Sequence, residues 1–274
     1  MLSPDDLAAM QSIVSARWRA DGPLVDVHVG DLAWGANPVT GRDALGATFD
    51  GDAFAFRGGD EWYLGALPGA PYDRLVAVAA EAGAVVTALD GEPDKAAALA
   101  RAGFAVDGSR WHWHLVHDLR DLPPVPLPVV SGATDPDARV ALHRAAWEPS
   151  RFTRETYDGV VTTPPYRPDL DVVVTAPDGE WAAYALGWLD EASASGELEP
   201  VGTAPAFRRR GYGAAACVAT LHRMRDLGAR TAVVYAVSDP ANQGPRALYE
   251  SIGFRVRGRH LRHLPPTRQN AATR

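Results

Sequence analysis

The sequence predicts a mixed α/β sheet protein in which one fold is laid down twice, and three observations carry that reading. Strand-length apolar runs alternate with helical stretches through the second half of the 274 residues. Residues 84–89 and 96–104 parallel residues 232–237 and 246–254, the second pair offset by 150 residues, as an internal duplication requires. Between the halves lies the segment 122–130, with four prolines in six residues, a composition that lacks backbone donors and favours a stiff, extended linker. The expected organisation is residues 1–121, a linker at 122–130, and residues 131–274.

Each element of the second half has a local cause. Pro136 opens a helix to Trp147 with Val140, Leu142, Ala145 and Ala146 at helical spacing. Thr153 is the expected N-cap of a second helix, its hydroxyl able to accept from the first turn. Residues 169–176 read as a strand, Asp178-Gly179 as a hairpin turn and residues 181–189 as the returning strand. Residues 197–203 make a third strand. The glycines of Gly211-Tyr212-Gly213 then lead into a helix that ends at Gly228. Residues 231–237 are apolar without alternation, which a strand covered on both faces requires. A short helix carries Leu248-Tyr249-Glu250-Ser251 to Gly253, and residues 255–263 close the fold as a strand.

Composition narrows the function. With 46% hydrophobic and 22% charged residues the chain is an ordinary globular one, not disordered, collagenous or coiled-coil. The net charge of −7 hides two opposite fields: 13 Arg against 3 acidic residues from Ala204 onward, and 14 basic against 31 acidic residues before it. That split argues against a uniformly basic nucleic-acid binder and fits an anionic ligand held by the C-terminal part. Lys95 is the one lysine; the bias toward arginine fits both a GC-rich bacterial genome and a use for forked donors. A single cysteine, Cys217, leaves no internal disulfide framework, and in an Ala-rich helix it reads as a small packing residue. The early acidic residues and the lack of an apolar block are unlike a secretory leader, and no run of about 18 apolar residues offers a membrane span. A cytoplasmic monomer or homodimer is expected, with no membrane partner.

The chemistry concentrates in residues 201–214. A strand runs into Arg208-Arg209-Arg210-Gly211-Tyr212-Gly213-Ala214 and then into a helix. Glycines let backbone approach a ligand closely, the helix N-terminus offers free N–H groups and positive dipole, and arginines add forked donors, so a diphosphate fits. A dinucleotide fingerprint is excluded, because its third glycine is absent. A phosphate-binding P-loop is excluded because no Gly-Lys-Ser/Thr follows.

Pro205-x-x-Arg208-x-x-Gly211-x-Gly213 after a strand resembles the acetyl-CoA-binding motif of the GNAT N-acetyltransferase superfamily. Asn242 followed by Leu248-Tyr249-Glu250-Ser251-Ile252-Gly253-Phe254 resembles its second motif. The likeness is strong from about residue 128 to 263 and weak before it, and the tandem arrangement is similar to that of mycothiol synthase. The resemblance implies two tandem acyl-CoA N-acyltransferase folds, the first degenerate. It further implies that backbone groups of Val201, Gly202 and Thr203 meet the pantetheine arm and acetyl carbonyl. N–H groups from Arg208 to Ala214 would hold the pyrophosphate, Asn242 would contact the cofactor arm, and Tyr249 would be the general acid. Where the motif has alanine three residues after the asparagine, this chain has Pro245, which suits a first helical turn. In the first half Leu99 stands at the place of Tyr249, and no Arg-x-x-Gly-x-Gly is present; that half is expected to be inert.

Transfer to an amine needs a base. Glu197 and Glu199 alternate with Val201 and Thr203 and are expected on one strand face, with Glu199 the nearer candidate. Trp147, Tyr166 and Trp188 are candidates for the acceptor wall, and the acidic surroundings favour a cationic amine. The Trp111-His112-Trp113-His114 run reads as a surface strand, and no metal site is expected. The expected activity is acetyl transfer from acetyl-CoA to a small-molecule primary amine by direct attack. A larger acyl-CoA, a protein or peptide amine, and a non-catalytic acyl-CoA sensor are the alternatives.

Overall fold

The computed structural model describes residues 3–36, 46–49, 51–58, 61–125, 127–239 and 243–267. The first half runs α1 (Pro4–Asp21), α2 (Val29–Gly35), β1 (Gly46–Phe49), β2 (Ala53–Gly58), β3 (Glu61–Ala66), α3 (Asp73–Ala82), β4 (Val85–Leu89), α4 (Pro93–Arg101) and β5 (Ala105–His117). After a short strand β6 (Val129–Ser131) the second half runs α5 (Pro136–Ala146), α6 (Arg154–Thr162), β7 (Asp171–Thr175), β8 (Trp181–Asp190), β9 (Ser195–Thr203), α7 (Tyr212–Asp226), β10 (Thr231–Val237), α8 (Gly244–Ser251) and β11 (Arg255–Leu264). From α1 to β5 and from α5 to β11 the order of helices and strands is the same, so the duplication read from two short segments extends over both halves.

The local causes expected of the second half are present. Thr153 caps α6 through a reciprocal capping box with Thr156, and Gly228, at φ +104°, ends α7. The strand expected at 169–176 shortens to Asp171–Thr175, because Pro168–Leu170 coil into a 3-10 turn. Val129 and Val130, expected at the end of the stiff linker, instead pair with Val174 and Val173 of β7, and Ser131 pairs with Val172.

Among the described residues all eleven strands form one sheet, in the order β1-β2-β3-β4-β11-β5-β10-β9-β8-β7-β6. Each half gives its last strand to the other. β5, the end of the first half, lies between β10 and β11, and β11 lies between β5 and β4. The linker therefore divides the chain but not the sheet. Helix α2 is exchanged in the same sense: Ala33 and Trp34 are buried in a cluster made otherwise of second-half residues, among them Val140, Phe152, Tyr157 and Trp188.

Two features of β9 position the site. Against parallel β10 it pairs only at Ser195, Gly196 and Glu197, with Thr231, Ala232 and Val233. Beyond Val233, β10 continues along β5 while β9 continues along β8, so the sheet forks. Against β8 the register slips between Ala185↔Val201 and Gly187↔Leu198, leaving one extra residue on β9. A bulge of this kind reverses which face each later side chain takes.

Candidate active site

The bulge corrects the expectation that Glu197, Glu199, Val201 and Thr203 share a face. A Cβ on Gly196 would meet Met224 of α7, which puts Glu197 on the opposite, α2 face. Past the bulge a Cβ on Gly202 would meet Tyr184 and Ala146, whereas Thr203 lies against Gly213 of α7. Glu197 and Thr203 are thus on opposite faces, and Glu199 sits in the bulge itself.

The mouth of the fork is built by the start of α7. A 3-10 turn (Pro205–Phe207) leads to Arg209 at φ +64° and to Gly211, the N-cap, at φ +85°. A Cβ at Gly213 would stand 2.8 Å from Thr203 Oγ1, so only glycine lets the helix approach β9 this closely. The first N–H groups of α7 have no acceptor within the helix, and the partial positive charge of its N-terminus points outward there. Arg208 departs from the expected pattern. Its N–H bonds Pro205 O at 3.3 Å, and its guanidinium bonds Thr203 O at 3.3 Å and Ala146 O at 3.0 Å. It clamps the loop to β9 and α5, which leaves exposed Arg209 and Arg210 as the free forked donors. Fork, glycine-opened helix end and two free arginines suit a diphosphate carried on an extended arm. Asn242 lies outside the described residues.

Tyr249 of α8 is buried, its ring 5.9 Å from that of Phe254. Burial, aided by Cys217, Glu199 and Tyr184, pushes its hydroxyl pKa well above the ordinary value, so it keeps its proton at any working pH. Among the described residues no hydrogen bond engages that hydroxyl. The charge of Glu199 is felt by Tyr249, Tyr184 and Glu197 alike, which locates it among all three. Glu197 is fully enclosed and 3.3 Å from His28 Nδ1. Burial and the charge of Glu199 push it up to about 8, against a hydrogen bond from the Asp31 carboxyl. Desolvation and Glu197 in turn push Asp31 well above the carboxylate range.

Under Gly202 a buried stack fixes the wall of the fork. The Tyr184 hydroxyl lies 2.7 Å from His143 Nδ1 and accepts from Trp147 Nε1 at 2.9 Å. Burial and Arg139 lower His143 to about 3, so its ring is neutral and accepts. The Arg139 guanidinium lies 3.6 Å from the centre of the Tyr184 ring and 2.8 Å from Asp171, which also accepts from Tyr157. Arg139→Ala is expected to cost about 3–5 kcal/mol, because it leaves Asp171 buried and unpaired; urea unfolding reads this directly.

The three candidate wall residues do not converge. Trp147 is 52% exposed beside the fork. Tyr166 lines a separate pocket of about 630 Å³ between α1 and the β8–β9 turn. Trp188 is 0% exposed and donates to Glu199 O at 2.6 Å; it is a core residue, not a wall. Sequence reasoning missed His28 and Asp31, which arrive from the first half as the capping box of α2. Nothing in their local pattern reports that α2 packs on β9. Among the described residues no group of three or more His, Cys, Asp or Glu is placed to hold a metal. His114 instead stacks on His260 and bonds Pro23 O. Cys217 is buried in α7, its thiol pushed up to about 12 by burial.

A sheet forked between parallel strands, with a glycine-opened helix end at its mouth, is the geometry of an anion site on an extended arm. Residues 139–254 match the acetyltransferase (GNAT) family, and this part of the chain is a GNAT domain. No curated protein sequence matches the chain significantly. Among solved structures it resembles an acetyltransferase of the GNAT family from Colwellia psychrerythraea (TM-score 0.65, 12% identity, 97% of this chain and 98% of that one). It also resembles a tandem GNAT protein from the clavulanic acid biosynthesis pathway (0.61, 15% identity, 94% of each chain). A GCN5-related N-acetyltransferase from Sphaerobacter thermophilus is similar as well (0.57, 18% identity, 95% and 92%). At these identities the likeness is one of fold, and it spans both halves. Among the described residues no helix is long and apolar enough to cross a membrane.

Proposed function

We propose that the second half transfers an acetyl group from acetyl-CoA to a small-molecule primary amine by direct attack, and that the first half carries no transfer site of its own. The observation that supports this reading is the fork, where β9 leaves β10 after Glu197, together with the electrostatic influence of Glu199 on β9 upon Tyr249 of α8. Acetyl-CoA, when bound, supplies the activated thioester. The N–H groups at the start of α7, with Arg209 and Arg210, hold the pyrophosphate, and backbone groups of Val201, Gly202 and Thr203 orient the arm along β9. The amine loses its proton to Glu197, through a water or by way of Glu199. Tyr249 gives its proton to the leaving sulfur. Thiol release from acetyl-CoA across a panel of small cationic amines tests the reading. Tight CoA binding without release on any amine would overturn it in favour of a sensor.

The receiving carboxyl works only when ionised. Since burial holds Glu197 up to about 8, transfer is expected to rise with pH through that value and to level off above it. A pH–rate profile for kcat/KM checks the sign; a rate already flat from pH 6 upward would contradict it.

The first half has the corresponding fork, where β3 pairs with β4 only from Glu61 to Tyr63, and a buried ion cluster stands at the starts of α3 and α4. Lys95 Nζ lies 2.7 Å from Asp26 and 2.9 Å from Glu92, and 5.1 Å from the ring of Tyr72, the N-cap of α3. Leu99 is buried at the place of Tyr249. Calorimetric titration is expected to give one CoA per chain, and two equivalent sites would refute the assignment.

A further inference from the structure

The buried His28 and the serines of the β8–β9 turn have no part in the mechanism above, yet His28 stands beside Glu197 and starts a hydrogen-bonded chain that leads away from it. Glu197 Oε2 is 3.3 Å from His28 Nδ1. His28 Nε2 is 3.0 Å from Ser195 Oγ, which is 2.7 Å from Ser193 Oγ, which is 2.5 Å from Asp190 Oδ2. Asp190 lines the open pocket between α1 and this turn, beside Ser12, Ser15 and Tyr166.

The donors in this chain all point one way. The Gly30 N–H approaches His28 Nδ1 at 3.2 Å, which makes Nδ1 the bare nitrogen and puts the ring proton on Nε2. That proton faces Ser195. Ser193 spends its own hydrogen on the acid-only acceptor Asp190, so Ser195 must donate to Ser193. Every hydrogen bond from His28 to Asp190 is thus oriented outward, and Nδ1, which accepts the Gly30 N–H, stands 3.3 Å from the carboxyl that receives the amine's proton.

We propose that Glu197, His28, Ser195, Ser193 and Asp190 form a proton relay that carries the proton released by the acceptor amine out to the pocket between α1 and the β8–β9 turn. The inference rests on the acetyltransferase reading above. A proton passed from Glu197 to His28 Nδ1 displaces the Nε2 proton onto Ser195. Ser195 passes its own to Ser193, Ser193 passes its own to Asp190, and Asp190 loses it to water. One proton enters and one leaves, and the imidazole is neutral before and after. Burial supports this by holding His28 down to about 4, in the neutral form that can both accept and donate. The charged and titratable groups around the inner end are Asp31 from α2, Glu199 from β9 and Tyr235 from β10; Asp31 and Asp190 face His28. The relay gives the inert first half a role in turnover, since its only imidazole member comes from the start of α2.

The test uses the full chain. Side-chain nitrogen NMR of the ligand-free protein is expected to show His28 neutral with its proton on Nε2 at pH 7. A proton on Nδ1, or an imidazolium, overturns the relay whatever the activity. Ser193→Ala and Ser195→Ala are expected to lower kcat about tenfold or more and leave the KM for acetyl-CoA in place. Both are expected to change the solvent isotope effect on kcat and to be partly rescued by imidazole buffer; Ser195→Thr, which keeps a hydroxyl, is expected to retain the wild-type isotope effect. Wild-type transfer with unchanged kcat and isotope effect in both alanine variants overturns the relay alone. A wild-type protein that acetylates no amine overturns the transferase reading, and the relay falls with it.

Discussion

Tyr249→Phe is expected to cut acetyl transfer by about 10²–10⁴-fold in kcat, the usual range for loss of a positioned proton donor. CoA affinity should change little. The substitution removes one oxygen and keeps the ring, so the edge contact with Phe254 and the packing of α8 against the core survive. Because no hydrogen bond engages the hydroxyl among the described residues, its loss leaves no protein group unpaired. The defect should therefore appear in kcat with an unaltered melting temperature. Acetyl donors with better leaving thiols should suffer less from the loss, since a more stable thiolate needs the proton less. Unchanged kcat with acetyl-CoA would remove Tyr249 from the chemistry.

Residues 131–274 produced alone are expected not to form a stable monomer, whereas a protein nicked within the Pro-rich segment 122–128 should stay in one piece. The isolated part loses β5 from between β10 and β11 and loses α2 from the face of β8 and β9. Leu115, Val116 and Trp34 are buried at these contacts. Each large apolar side chain contributes about 1.5–3 kcal/mol on burial, so a few of them rival the about 5–15 kcal/mol that holds a whole domain together. Even if β11 took the place of β5, Trp188 and Val233 would lie open where α1 and α2 had covered them. Size-exclusion chromatography decides both parts. A soluble monomer of residues 131–274 with native circular dichroism, or a nicked protein whose fragments separate without denaturant, would contradict the exchanged-strand account.

Much of this molecule is legible along the chain. Helices and strands of the second half appear where apolar period, caps and turn residues place them, because each of those signals lies within a window of a few residues. The Gly211-x-Gly213 helix opening and Tyr249 are legible for the same reason, and so is the first half as a copy without them. Other parts had no local signal. The one-residue bulge between Leu198 and Val201 reverses the face of everything after it, and alternation along the strand cannot register it. Trp188 has the composition of a binding-site residue, yet α2 and α6 close over it. His28 and Ser195 meet across 167 residues of chain.

The sequence alone thus determines which elements form and which of them carry the glycine-opened, arginine-rich motif, since these follow from backbone propensity and from side chains close together in the chain. Only the tertiary structure decides that the halves trade β5 and β11. In the arrangement present, α1 and α2 are buried against residues of both halves. With that exchange comes the position of Glu197, enclosed beside Asp31 and His28 of α2. The charge split along the chain is a matter of composition; the folded sheet decides which carboxyl is enclosed against the other half.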